Sequence, residues 1–123
     1  MPRMGKRSRR RGAQDALAAP ENEYRSLSGD VLVLRGVMSP STRRGYAAAA
    51  AGAPLSRGDA WQRSAEFLFE RLAVRWEIAG TDPITRQKEL LGRYRFASPG
   101  ERSWIRDVLR EHLAEHFPDL AAP

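Results

Sequence analysis

The hydrophobic and polar positions of residues 56–80 follow the period of one long amphipathic helix. Ser56 and Asp59 resemble a capping box at its start, and Gly80 provides a stop. Apolar side chains recur at steps of three and four residues along one face: Trp61, Ala65, Leu68, Leu72, Trp76 and Ala79. Further apolar residues widen this face, so more than one other element must cover it. We therefore predict a helix over 57–79 at the centre of a bundle.

Three more helices are predicted from start signals that contain proline. In each signal a serine or aspartate can act as N-cap, and the proline takes the first helical position, where no N–H is needed. The signals are Ser39-Pro40, Asp82-Pro83 and Ser98-Pro99. The corresponding helices are expected over residues 40–51, 83–96 and 99–117.

The apolar run Val31-Leu32-Val33-Leu34 fits either a buried strand or the first turns of a helix. A strand needs a partner, and no second strand-like run is evident, so we favour a short helix or an extended segment packed on the bundle. The predicted fold class is therefore all-α: a small three- to four-helix bundle over residues 31–120. A linker over residues 13–30 and a disordered basic arm over residues 1–12 precede it.

Composition narrows the class of protein further. The chain has 123 residues, enough for one domain with tails. It contains no cysteine, which excludes disulfides, zinc–cysteine sites and thiol catalysis. No apolar run approaches the roughly 20 residues that a membrane span needs. We expect a cytoplasmic protein without a membrane segment.

The net charge of +6 is unevenly distributed. Residues 1–12 contain no acid, and the remaining 15 basic residues equal the 15 acidic residues in number. The arm is expected to neutralise phosphates of DNA or RNA. A solvated tail that only favours solubility is the alternative, and contact with an acidic membrane surface is a third, although no apolar anchor accompanies the charges. The basic residues of the arm are Arg3, Lys6, Arg7, Arg9, Arg10 and Arg11.

A second basic cluster lies in the predicted helices 83–96 and 99–117. Nearby aromatic residues could stack on the bases of a single strand, and residues 87–110 partially match a helix-turn-helix unit. Pairing with neighbouring acids, or an ordinary helical hairpin, is the alternative. From this cluster we predict four nucleic-acid-binding residues: Arg93, Arg95, Arg102 and Arg106.

The string His112-Leu113-Ala114-Glu115-His116 matches the H-x-x-E-H pattern of inverzincin metalloproteases. The two histidines would lie one helical turn apart and could share a metal. The third ligand would have to lie well downstream, and a catalytic cleft is hard to enclose so close to Pro118. We therefore predict no catalytic residue, no metal and no cofactor.

The function predicted from these features is that of a small non-catalytic accessory or regulatory protein that contacts nucleic acid through its arm. The alternative is a protein–protein adaptor that presents Trp61, Trp76 or Trp104, with an incidental basic tail. A metal-dependent hydrolase is a remote third hypothesis. The expected partners are DNA or RNA, together with a protein partner or a second copy bound through the bundle.

Overall fold

The computed structural model describes residues 20–51 and 57–120. The predicted arm and Ser56 of the predicted cap lie outside the described residues. The strands are β1 (Glu21–Arg25), β2 (Val31–Arg35) and β3 (Ala73–Glu77). The helices are α1 (Pro40–Ala51), α2 (Arg57–Leu72), α3 (Gln87–Arg95) and α4 (Pro99–His116).

The all-α prediction was wrong, because the three strands form an antiparallel sheet in the order β1-β2-β3. The fold is α/β, with helices packed on one face of this sheet. The apolar run at residues 31–34 is the central strand, and it is buried throughout. It has two partners that the sequence pattern did not reveal.

The first of these partners, β1, lies within the predicted linker over residues 13–30. Its residues alternate between exposed and half-buried, and Tyr24 is its one aromatic residue. A strand with so few apolar side chains has no distinctive hydrophobic pattern, which is why it was missed. In the turn to β2, the backbone N–H of Ser26 bonds the carbonyl of Asp30 at 2.9 Å, and the N–H of Asp30 bonds the Ser26 hydroxyl at 3.0 Å.

The second partner, β3, continues directly from α2, so the predicted helix over 57–79 ends at Leu72. The helix was predicted too long because Leu72 and Trp76 are four residues apart. Residues with this spacing lie on the same face of a helix, but they also lie on the same face of a strand. Trp76 is fully buried in the strand, and pairing with β2 selects this conformation. Gly80, with φ of +85°, belongs to the turn after β3 instead of ending a helix.

The predicted helix starts are confirmed where the capping contacts are local. The helix α4 begins as predicted with a capping box, in which Ser98 and Glu101 bond each other's backbone N–H at 3.1 and 2.9 Å. The helix α1 also begins at its proline. By contrast, α3 begins at Gln87 instead of residue 83, because Ile84 exchanges two backbone hydrogen bonds with Trp76 at 2.8 and 3.0 Å. This bridge requires an extended backbone.

The core lies between the inner face of the sheet and the helices. Phe69 of α2 is at its centre: its ring stacks on Tyr94 at 4.8 Å between centroids and meets Trp76 edge-on at 5.7 Å. Leu32 and Leu34 of the central strand contribute to the same cluster. This cluster packs the sheet against α2, α3 and α4. Its fully buried side chains remove the most apolar surface from water.

Replacing Phe69 with alanine should lower the free energy of unfolding by about 3–5 kcal/mol, because it removes a buried ring and leaves a cavity. Phe96 offers a matched control, since 88% of its surface is exposed. Its replacement should change stability by less than about 0.5 kcal/mol. Urea unfolding followed by far-ultraviolet circular dichroism compares the two. Equal losses would show that Phe69 does not anchor the core.

Candidate functional site

The four arginines predicted to bind nucleic acid lie on α3 and α4, but each contacts the domain itself. Arg93 forms an ion pair with Glu101 at 2.7 Å, and its guanidinium lies 5.1 Å from the centre of the Trp76 ring. Although burial alone would raise the pKa of Glu101, its bonds to Ser98 and Arg93 hold that pKa below the usual value. Arg95 pairs with Glu66 of α2 through two hydrogen bonds, at 2.8 and 3.3 Å.

Arg102 closes the end of α3. Its guanidinium donates to the carbonyls of Arg95 and Ala97 at 2.8 and 3.3 Å and lies over the ring of Tyr94. Such bonds satisfy carbonyls that the helix end leaves unpaired, and a cation there is favourable for the helix dipole.

Arg106, one turn further along α4, stacks on the ring of Trp61 at 4.5 Å. Each of the four predicted residues therefore makes a contact within the fold, although the Nε of Arg106 has no hydrogen-bond partner, and their binding of nucleic acid stays a prediction. The helix pair of the predicted helix-turn-helix is present, but its second helix does not offer Arg102 and Arg106 as free side chains.

A groove with a volume of about 470 Å³ lies beside these arginines, between α2 and the α3–α4 turn. Phe67 and Tyr94 contribute aromatic surface, and Arg102 is also part of the lining. Arginine and glutamate side chains both line the groove, so its charge selects neither an anion nor a cation. The charged lining residues are Arg63, Glu66, Glu70 and Arg102.

The three tryptophans considered for an adaptor surface do not form an exposed patch. Trp76 is fully buried, Trp104 is half-buried against the core, and Trp61 lies under Arg106. Among the residues described, the exposed large apolar side chains are Leu27, Val37 and Phe96. They lie in three different connections, after β1, β2 and α3 respectively.

The histidines of the H-x-x-E-H string form a structural cluster at the end of α4. His112 has no exposed surface, and its Nε2 lies 2.6 Å from the carbonyl oxygen of Arg35. A carbonyl can only accept, so Nε2 carries the proton and Nδ1 accepts from the Tyr24 hydroxyl at 2.8 Å. This arrangement joins β1, β2 and α4. We call these three partners, the Tyr24 and His112 side chains and the Arg35 carbonyl, the histidine clasp.

Burial favours the neutral form of both side chains of the clasp. Desolvation lowers the pKa of His112, and the neighbouring His116 acts in the same direction, whereas the bond to Arg35 and the charge of Glu115 oppose it. Desolvation, with the carboxylates of Glu115 and Glu111, raises the pKa of Tyr24 to about 12. Sequence reasoning missed Tyr24; its only signal was that of a single aromatic residue in a polar segment.

Both ring nitrogens of His112 are engaged in hydrogen bonds, so neither has a lone pair directed at a metal. His116 has its Nε2 at 3.9 Å from the Glu115 carboxylate. Over the described ranges, no group of three or more histidine, cysteine, aspartate or glutamate side chains is arranged to hold a metal ion. Within the same ranges, none of the helices is both long enough and apolar enough to cross a membrane.

Comparison with known proteins does not place this chain in a family. No family model matches it, and no curated protein or solved structure matches it significantly. The six basic residues predicted for the arm lie outside the described residues, and their role stays a prediction.

Stability should fall as the pH decreases below about 6.5, the ordinary pKa of histidine. The pKa of His112 is depressed in the folded state, so the unfolded chain binds the proton first and acidification favours unfolding. The contribution is fully present above pH 6.5. Urea unfolding between pH 8 and pH 5 measures it, and His112→Gln should remove most of the slope. The control His116→Gln should retain most of it; an unchanged slope in His112→Gln would contradict the assignment.

Proposed function

We propose that this chain is a small non-catalytic accessory or regulatory protein that associates with nucleic acid through its arginine-rich arm. The observation that carries the proposal is the separation of charge: the entire excess of +6 falls within residues 1–12. A segment with this density of arginine attracts phosphates and releases counterions, with little dependence on sequence. A cytoplasmic location belongs to this proposal, because nucleic acid must be accessible to the arm.

The contacts within the folded domain support the arm as the binding element. The remaining 15 basic residues are balanced by 15 acids. Arg93 and Arg95 are paired with carboxylates, and Arg102 is bonded to backbone carbonyls. Recruiting these side chains to phosphates would break contacts that hold α2, α3 and α4 together. In this proposal the domain positions the arm and does not itself read the nucleic acid.

A second candidate function is that of a protein–protein adaptor, and one observation favours it. Phe96 is 88% exposed at the α3–α4 turn, next to the half-exposed Arg95. Aromatic and arginine side chains are frequent anchors of protein interfaces. The tryptophans are not the anchors of this interface, since they take part in packing and in cation–π contacts.

Two variants with the same net charge separate the arm from the domain. The arm variant replaces Arg9, Arg10 and Arg11 with glutamine. The domain variant replaces three exposed basic residues of α1, α2 and α3 with glutamine, namely Arg44, Arg63 and Lys88. The arm variant should lose at least about tenfold in affinity near 0.1 M salt, and its log–log salt slope should decrease in magnitude by about 3. Fluorescence anisotropy with duplex DNA and single-stranded RNA over a salt series measures both quantities.

The domain variant should keep the wild-type salt slope, because its three residues contact no phosphate in this proposal. Equal losses in the two variants would show that only net charge matters and that the arm has no special role. Absence of binding by the wild-type chain at about 0.05 M salt, where six phosphate contacts give strong association, would refute the proposal. Loss of a protein partner from Phe96→Ser, with nucleic-acid binding unchanged, would support the adaptor.

A further inference from the structure

The two edges of the sheet differ. The outer edge of β3 is bridged by Ile84, whereas no residue of the described ranges pairs with the outer edge of β1. The ladder between β1 and β2 fixes which backbone groups face that open edge. The carbonyl of Pro20 accepts from the N–H of Gly36 at 2.7 Å, and the N–H of Ser26 bonds Asp30 at 2.9 Å.

Hydrogen-bonded pairs alternate along an antiparallel ladder. Since positions 20 and 26 are bonded to β2, the even-numbered residues of β1 face β2, and the odd-numbered residues direct their N–H and C=O groups outward. These outward residues are Glu21, Glu23 and Arg25. None is a proline, so every one can both donate and accept.

We propose that this edge pairs with the same edge of a second copy of the chain, antiparallel, about a two-fold axis at Glu23. In this register Glu21 lies opposite Arg25 of the second copy, and the reverse pair follows by symmetry. All the outward backbone groups of Glu21, Glu23 and Arg25 are then bonded. The two three-stranded sheets become one continuous sheet, with its helices on one side.

The charges of β1 favour this register over its neighbours. A shift by two residues in one direction places Glu21 opposite Glu23, which sets like charges against each other. A shift in the other direction keeps a Glu23–Arg25 pair but leaves the groups of Glu21 without partners. Charges on an edge strand commonly prevent indiscriminate pairing. Here their order permits one self-complementary arrangement and disfavours the others.

The two copies of Glu23 would face each other at the axis, and the structure already supplies the compensating charges. The carboxylate of Glu23 lies 2.6 Å from the guanidinium of Arg25 and 3.6 Å from that of Arg75. Arg75 in turn contacts Glu77 at 3.2 Å. This series of ion pairs is neutral overall and crosses the outer face of the sheet beside Val31 and Val33, so each Glu23 carboxylate at the axis has guanidinium groups within 4 Å.

Pairing of two copies does not require nucleic acid, so it is independent of the proposed nucleic-acid function. It would nevertheless determine where the two N-terminal segments begin. Pro20 precedes β1, so a two-fold pairing places the two copies of Pro20 at opposite ends of the shared strands. One dimer would carry two copies of the basic residues 1–12, and two weak attachments would act together.

Charge exchange tests the pairing directly. Glu21→Arg places arginine opposite arginine, and Arg25→Glu places glutamate opposite glutamate, so each variant alone should dimerise at least about tenfold more weakly than the wild type. An equimolar mixture of the two restores opposite charges at both pairs and should recover dimers. Sedimentation velocity of the full chain without nucleic acid, up to about 1 mM, covers even a millimolar dissociation constant.

Glu23→Pro provides a test that does not depend on charge. It removes one outward N–H, a change that an edge strand tolerates because the bonds to β2 come from the even positions. The variant should keep the wild-type circular dichroism spectrum and melting curve, yet remain monomeric. A wild-type chain that stays monomeric throughout this range overturns the proposal. So does a dimer that persists in Glu23→Pro, or one that the mixture of charge variants fails to restore.

Discussion

The pairing of β3 with β2 is the constraint on which the rest of the structure depends. It ends the long amphipathic stretch at Leu72, turns the next five residues into a strand and directs Trp76 into the core. Trp76 then meets Phe69 and Arg93, which brings α2 and α3 onto the inner face of the sheet. Because the backbone of Trp76 also bonds Ile84, the chain after β3 is held at the sheet before α3 begins.

Arginine side chains act mainly as structural groups in this domain. Arg93, Arg102 and Arg106 each cover an aromatic ring, and Arg102 also closes the end of a helix. A planar guanidinium suits this role, since it stacks on a ring and still donates hydrogen bonds at its edges. These three arginines therefore contribute to packing, whereas the basic residues at 1–12 lie in a segment that contains no acid.

The histidine clasp and the open edge of the sheet both belong to β1. Tyr24 attaches β1 to α4 on the inner face, while the ion pairs of Glu23 lie on the outer face. The proposed pairing would use the remaining backbone groups of a strand whose side chains already make contacts on both faces, so little conformational entropy would be lost on pairing.

The sequence by itself determined the features that depend on local contacts. The capping box of α4, the proline start of α1 and the apolar face of α2 from Ala65 to Leu72 all follow from neighbours in the chain. The separation of charge between residues 1–12 and the balanced remainder is likewise a property of the sequence.

Only the tertiary structure decided which segments are strands and which arginines are occupied. A strand obtains its hydrogen bonds from residues far along the chain, so β1 and β3 carry no sufficient local signal, and the start of α3 was displaced by a bond to Trp76. The partners of Arg95 and His112 are similarly distant, on α2 and on β1 and β2. A capped helix start is specified locally, whereas strand pairing, the helix boundaries that it displaces and the partners of charged side chains are settled by contacts that exist only after folding.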